Sequence, residues 1–373
     1  MPSFVSSSSA SSSASRGEPQ PALDYTAPRW LPGGNLQTIW AALYARRFDG
    51  PAPVYRRERW AAPDGDFIDV DFVDAPGDAP AASTGAPLLV LFHGLEGSSR
   101  SHYAEAFATF AAAHGMAFAV PHFRGCSGEL NLAPRAYHSG DFEEIGWILA
   151  RMRAQHVAKG GGPVLAAGVS LGGNALMRWA SEAGETASDV VSAVASVCAP
   201  LDLAAGGEAI GRGFNKLVYT RMFLNTMKPK ALAKLAQFPG LFDRERLLQA
   251  RNLHDFDNVF TAPLHGFRDV ADYWSRGSAK PHLASVRVPA LVVNARNDPF
   301  IPADSLPGPG EVGAHVTLWQ PAQGGHVGFP MGPPPGHVRG MPERVGNWLR
   351  LHAGTSSASG TLADGVPPLA GRE

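Results

Sequence analysis

Six short apolar runs, separated mostly by helix-like stretches, constrain this chain more than any other feature. They are PLLVLFH (87–93), MAFAVPHF (116–123), PVLAAGVS (163–170), VVSAVASVC (190–198), PALVVNA (289–295) and HVTLWQ (315–320). Most of their residues are apolar at consecutive positions. A strand of that kind needs cover on both faces, which a parallel sheet between two helical layers provides. Helical patterns at 102–114, 140–156, 172–183 and 342–352 supply the layers, with Ser139 as candidate cap of the second. A hairpin comes first, its arms 55–61 and 67–73 around Pro63-Asp64-Gly65. An antiparallel start followed by repeated β-α units predicts the α/β class, with a mostly parallel, doubly wound sheet.

The rhythm breaks once. Residues 203–285 hold helical patterns, such as 229–237 and 244–251, and no obvious strand. This stretch falls between the sixth and seventh expected strands and reads as a helical cap over a site. A long excursion packed elsewhere is the alternative. The expected division is a Ser-rich disordered tail over 1–26, one large domain over 27–352 and a second disordered tail over 353–373.

Composition supports a buried core and narrows the function. Hydrophobic residues make up 45% of the chain and charged residues 17%. A formal net charge of -1 argues against a nucleic-acid partner. No apolar run is long enough to span a bilayer. Two cysteines, Cys126 and Cys198, suggest no disulfide framework and fit a reducing, cytoplasmic setting. Both read as packed, unreactive thiols without metal-ligand spacing, so neither a metal nor a cofactor is expected. The first residues lack the basic start and long apolar core of a secretory signal.

Gly168-Val169-Ser170-Leu171-Gly172 matches G-x-S-x-G, in which a sharp strand-to-helix turn lifts the serine oxygen above the sheet. By composition alone such a match arises about 0.3 times in this chain, so context must decide. PVLAAGVS is a strand and LGGNALMRWA a helix directly after it, which makes Ser170 the candidate nucleophile. A serine hydroxyl needs a base, and the base needs an orienting acid. With this elbow, the acid and then the histidine follow the serine. Asp298 stands in the loop after PALVVNA, and His326 in Gly324-Gly325-His326-Val327-Gly328 after HVTLWQ. Asp202 and Asp304 are rival acids, and His337, in a second Gly-His-Val, is a rival base. His93 precedes Ser170 and so stands in the wrong order. Two backbone N–H groups should receive the developing oxyanion, one from Leu171 and one from Leu95 in His93-Gly94-Leu95-Glu96-Gly97.

Taken together, these segments identify a resemblance. His93-Gly94-Leu95-Glu96-Gly97, His122-Phe123-Arg124-Gly125-Cys126-Ser127-Gly128-Glu129, Tyr137-His138-Ser139-Gly140 and Gly168-Val169-Ser170-Leu171-Gly172-Gly173-Asn174 resemble motifs of the YheT-like esterases. That branch of the α/β-hydrolases includes eukaryotic lipid esterases and phospholipases. Asn297-Asp298-Pro299-Phe300, Gly324-Gly325-His326-Val327-Gly328-Phe329 and the early Asn35-Leu36-Gln37-Thr38 look like further family segments. The resemblance covers roughly residues 27–352. It implies an α/β-hydrolase fold with the triad Ser170, Asp298 and His326. It also implies a small-molecule ester substrate of short or medium acyl chain and no cofactor. Acyl transfer to an alcohol with the same triad is the alternative activity.

Two surface features bear on the substrate. Trp30, Leu31, Leu36, Ile39, Trp40, Leu43 and Tyr44 form an apolar stripe at helical spacing, read either as packing or as a lipid-facing wall. Residues 211–251 carry nine Lys or Arg against Asp243 and Glu245, a local +7, read either as a solvated face or as attraction to anionic lipid or thioester.

Overall fold

The computed structural model describes residues 23–73 and 85–354. Its eight strands are β1 (Tyr55–Ala61), β2 (Phe67–Val73), β3 (Leu88–Phe92), β4 (Ala117–Pro121), β5 (Val164–Val169), β6 (Ala193–Val197), β7 (Ala290–Val293) and β8 (Val316–Trp319). They form one sheet in the order β1-β2-β4-β3-β5-β6-β7-β8. β2 runs antiparallel to both β1 and β4, and the pairings from β4 through β8 are parallel. Every residue of β3, β5, β6 and β7 is buried, as consecutive apolar runs require. The edge strand β1 is mostly exposed. Its Arg57 and Arg59 pair across the hairpin with Asp71 and Asp69, the residues directly opposite them.

The sheet divides the core in two, and strand alternation decides which side each residue joins. Leu88, Val90 and Phe92 of β3 pack with Ile148, Leu149 and Leu176 of α3 (Phe142–Ala158) and α4 (Leu171–Ala183). Leu89 and Leu91 face the other way, onto Phe107 and Trp348 of α2 (His102–Ala113) and a C-terminal helix, Gly340–Leu351. Before the sheet lies α1 (Gly34–Leu43). The connection between β6 and β7 is helical and includes α5 (Leu203–Ile210), α6 (Arg221–Gln237), α7 (Arg244–Gln249) and α8 (Val270–Gly277). The C-terminal helix Gly340–Leu351 is therefore α9. Single π-helical turns occupy Lys216–Thr220 and Asp257–Thr261. This helical connection, expected above as a cap, has its own apolar cluster, including Leu224, Leu247, Phe256 and Phe260.

One expectation needs correction. Ser139 does not cap α3, because Asp141 occupies the N-cap position. The Ser139 amide instead donates to Tyr273 Oη and its carbonyl accepts from Asn174 Nδ2, which ties this loop to the cap and to α4. Tyr25, inside the expected tail over 1–26, touches the body. Tyr25 Oη donates to the Pro330 carbonyl at 2.8 Å, and its ring meets Phe329 edge-on. Residues 1–22 and 355–373 of the expected tails lie outside the described residues. No described helix is long and apolar enough to cross a membrane.

Candidate active site

The turn from β5 into α4 places Ser170 in an unusual backbone conformation, φ 53° and ψ -119°. Two glycines make the turn feasible by sterics. A Cβ on Gly168 would lie 2.4 Å from the Gly172 carbonyl oxygen, and one on Gly172 would lie 2.5 Å from that of His93. Side chains at either position would push the helix, the strand and the loop after β3 apart. The result is a serine hydroxyl at the floor of a cleft beneath the cap.

Asp298 and His326 come to that hydroxyl from the loops after β7 and β8. Ser170 Oγ lies 3.0 Å from His326 Nε2, and His326 Nδ1 lies 2.8 Å from Asp298 Oδ2. The second carboxylate oxygen of Asp298 accepts the Phe300 amide at 2.8 Å, which fixes the carboxylate plane. Phe300 also covers the imidazole, with ring centroids 4.1 Å apart. Asp298 and His326 are both buried. The rivals serve other ends. Asp202 caps α5 through the Ala205 amide. Asp304 sits in a 3-10 turn, Ala303–Ser305, and His337 forms a backbone bridge with Met331. His93 is fully buried, with Nδ1 on the Gly94 carbonyl and Nε2 accepting the Phe123 amide. Burial, helped by His122, lowers its pKa to about 3, so it braces the loop as a neutral ring.

The loop after β3 reaches over Ser170, where a Cβ on Gly94 would lie 3.2 Å from the Ser170 Cβ. Three of its amides are engaged. Gly94 N donates to Tyr103 Oη, Glu96 N to Tyr137 Oη and Gly97 N to the Gly94 carbonyl. The Leu95 amide, like the first amide of α4 at Leu171, has no acceptor among the described residues. These are the two N–H groups the sequence singles out.

The structure adds residues that local sequence reasoning did not single out. Gln37 and Thr38, fully or largely buried on α1, hold the acid and base loops together. Gln37 Oε1 accepts from Asn297 Nδ2 and the Gly324 amide, each at 2.9 Å. Thr38 Oγ1 accepts the His326 amide at 2.8 Å and donates to the Gly34 carbonyl. His102 Nε2 meets the Val327 carbonyl at 3.0 Å. Cys198 lies behind the acid, and its Sγ accepts the Val327 amide at 3.3 Å. Burial and the neighbouring Asp298 carboxylate push its pKa well above the usual thiol range, so it remains S–H. Cys198, Asp298 and His326 together have the donor types of a metal site. Both imidazole nitrogens are already engaged, however, by Asp298 and Ser170.

The cleft holds a cavity of about 150 Å³ and is partly open to solvent. Leu203, Ile210, Phe223, Phe256, Phe260 and Phe300 give it apolar walls, while Glu96, Arg124, Asn131, Tyr137 and Lys230 give it polar ones. Lys230 pairs with Glu96 at 2.8 Å, and Tyr137 donates to the same carboxylate. Lys234, almost fully buried, donates to the Asn131 and Ala133 carbonyls and to Gln237 Oε1. Part of the local positive charge is thus turned inward, where it fastens the cap to the body.

The family profile described as the alpha/beta hydrolase fold matches residues 87–333. The chain belongs to the α/β-hydrolase family. Within that family it is 36% identical to YheT of Escherichia coli, named as a putative esterase, over 85% of this chain and 90% of the relative. It is 30% identical to phospholipase ABHD3 of Mus musculus, over 75% of this chain and 67% of that protein. The α/β-hydrolase architecture is shared with the esterase Pf2001 of Pyrococcus furiosus at a TM-score of 0.51. That match has 15% identity and covers 83% of this chain and 98% of the other.

Proposed function

We propose that this protein is a serine carboxylic ester hydrolase with Ser170 as nucleophile, His326 as base and Asp298 as orienting acid. The observation that carries the reading is the continuous hydrogen-bonded relay from Ser170 Oγ through His326 to Asp298, beside two unengaged amides. The names of YheT and ABHD3 point to the same class of reaction.

The geometry supports two half-reactions. Ser170 Oγ attacks the ester carbonyl carbon as its proton passes to His326 Nε2, and Asp298 stabilises the imidazolium. The oxyanion is received by the Leu95 and Leu171 amides, each donor being worth on the order of 10²–10³ in rate. Collapse breaks the carbon–oxygen bond to the alcohol, which leaves with the proton from His326. Water then attacks the acyl-enzyme, giving its proton to His326, and Ser170 recovers that proton as the carboxylic acid departs. The apolar walls of the cleft suit the acyl chain of a short- or medium-chain ester or lipid. The large helical connection over residues 203–285 serves as the cap that closes this space. No observation in the site favours an alcohol over water as acceptor.

The test is hydrolysis of p-nitrophenyl esters from acetate to palmitate by the wild type and Ser170→Ala. We expect activity with a short- to medium-chain optimum, and its loss in a variant that melts like the wild type. A folded wild type inert on the whole series, or an active Ser170→Ala, would overturn the reading.

A further inference from the structure

We propose that α1 and the first turns of the cap form a docking face for an anionic phospholipid surface, placed beside the mouth of the cleft. The inference goes beyond ester hydrolysis and does not depend on it. Twelve large hydrophobic side chains are exposed among the described residues, and seven of them lie on two short stretches. Leu36, Leu43 and Tyr44 belong to α1 and its end, with Leu43 64% exposed. Phe214, Leu217, Val218 and Met222 belong to the start of the cap, with Leu217 73% exposed.

Both sets have helical spacing. Leu36 and Leu43 are seven residues apart on α1, and residues 214, 217, 218 and 222 follow the three-and-four rhythm of a single helical face. The two stretches adjoin. Tyr219 Oη donates to Asn35 Oδ1 at 2.9 Å, and Ile39 packs in one cluster with Tyr219, Phe223 and Phe300. The inner sides of these helices are engaged, Gln37 and Thr38 on the triad loops and Phe223 on the cleft. Their outer apolar rows stay exposed, apart from ring contacts of Tyr44 with Trp40 and of Phe214 with Tyr219, and water is a poor neighbour for them.

Charge selects the occupant. Arg212, Lys216 and Arg221 are exposed within the cap stretch, and Arg46 is exposed just beyond Tyr44. Lys216 and Arg221 have no acidic partner among the described residues, and Arg212 pairs only with exposed Glu208. An apolar row interleaved with cations fits a bilayer interface with anionic headgroups, where apolar groups sink among acyl chains and cations remain at phosphate level.

The test is co-sedimentation of the full chain with vesicles of phosphatidylglycerol mixed into phosphatidylcholine, and with pure phosphatidylcholine. Leu43→Glu/Leu217→Glu and Lys216→Glu/Arg221→Glu are compared with the wild type, with circular dichroism and melting as controls for folding. We expect the wild type to prefer the anionic vesicles, and about 0.5 M salt to reduce that preference as screening shortens. The apolar double variant should bind at least about tenfold more weakly. The charge double variant should lose the anionic preference. None of these readouts needs ester turnover, so failure here is distinct from failure of the esterase reading. Wild type left in the supernatant with both vesicles would overturn the proposal, as would folded variants that bind like the wild type. So would a wild-type dimer that becomes monomeric in the variants without vesicle binding, which would make the face an interface between copies of the chain.

Discussion

Thr38 has one hydroxyl and two tasks, donating to the Gly34 carbonyl and accepting the amide of His326. Thr38→Val keeps the shape and removes the acceptor. The buried His326 amide then lacks a partner, a cost on the order of 1–3 kcal/mol of stability. The imidazole also loses a support of its backbone, so we expect kcat to fall about tenfold, with little change in KM, and Thr38→Ser to restore most of it. Steady-state ester kinetics with melting curves checks this, and unchanged kcat in the valine variant would refute it. The residue shows what a sequence does and does not disclose. Ser170, Asp298 and His326 each sit in a local pattern, a strand end followed by a turn, and could be found by walking downstream. Gln37 and Thr38 belong, in the sequence, only to a family-like segment, Asn35-Leu36-Gln37-Thr38. Their contacts cross more than 250 residues, and no local periodicity encodes such a pairing. Cys198 was legible as a strand end, but its place behind the acid was not.

At the scale of elements, the sheet was the easiest part to read. β3, β5, β6 and β7 are buried on both faces, and an unbroken apolar run has no other stable home. The stretch 203–285 was legible as an interruption with helical patterns, but its π-helical turns at Lys216–Thr220 and Asp257–Thr261 were not. One of those turns carries Asp257, a half-buried carboxyl that lines the cleft and accepts from Thr261 Oγ1 and Trp274 Nε1. Burial raises its pKa from 3.8 to about 6. Below the lower value Asp257 is protonated whether or not the chain is folded. Between the two values only the folded state keeps the proton, so stability declines as pH rises through that window and levels off above it. Asp257→Asn abolishes the ionisation, and the Thr261 hydroxyl can turn to accept from the new amide. We expect the variant's advantage in urea unfolding to grow from about pH 4 to about pH 6, reaching on the order of 2 kcal/mol. A gap between variant and wild type that ignores pH would refute this.

Among the described residues the two largest apolar clusters lie on the two faces of the sheet, and the third largest lies within the helical connection over residues 203–285. The third cluster is the smallest of these, and the connection that carries it is tied to the body by polar contacts, Lys230 to Glu96 and Lys234 to the Asn131 and Ala133 carbonyls, with one apolar tie from Ile210 and Tyr219 to Phe300 and Ile301. Local opening should therefore begin there. Hydrogen exchange is expected to be faster over α6 and α7 than over β5, and equal protection throughout would contradict it. The clasp of Gln37 and Thr38 on the triad loops also has a consequence in time. A chain leaves the ribosome from its first residue, and these two side chains emerge 260 to 288 residues ahead of their partners at Asn297, Gly324 and His326. At ordinary elongation rates that wait lasts about 15–60 s. Throughout it the Ser170 hydroxyl is without His326 and Asp298. On the proposed reading, a nascent or prematurely terminated polypeptide would therefore be chemically silent until the last loop has been made.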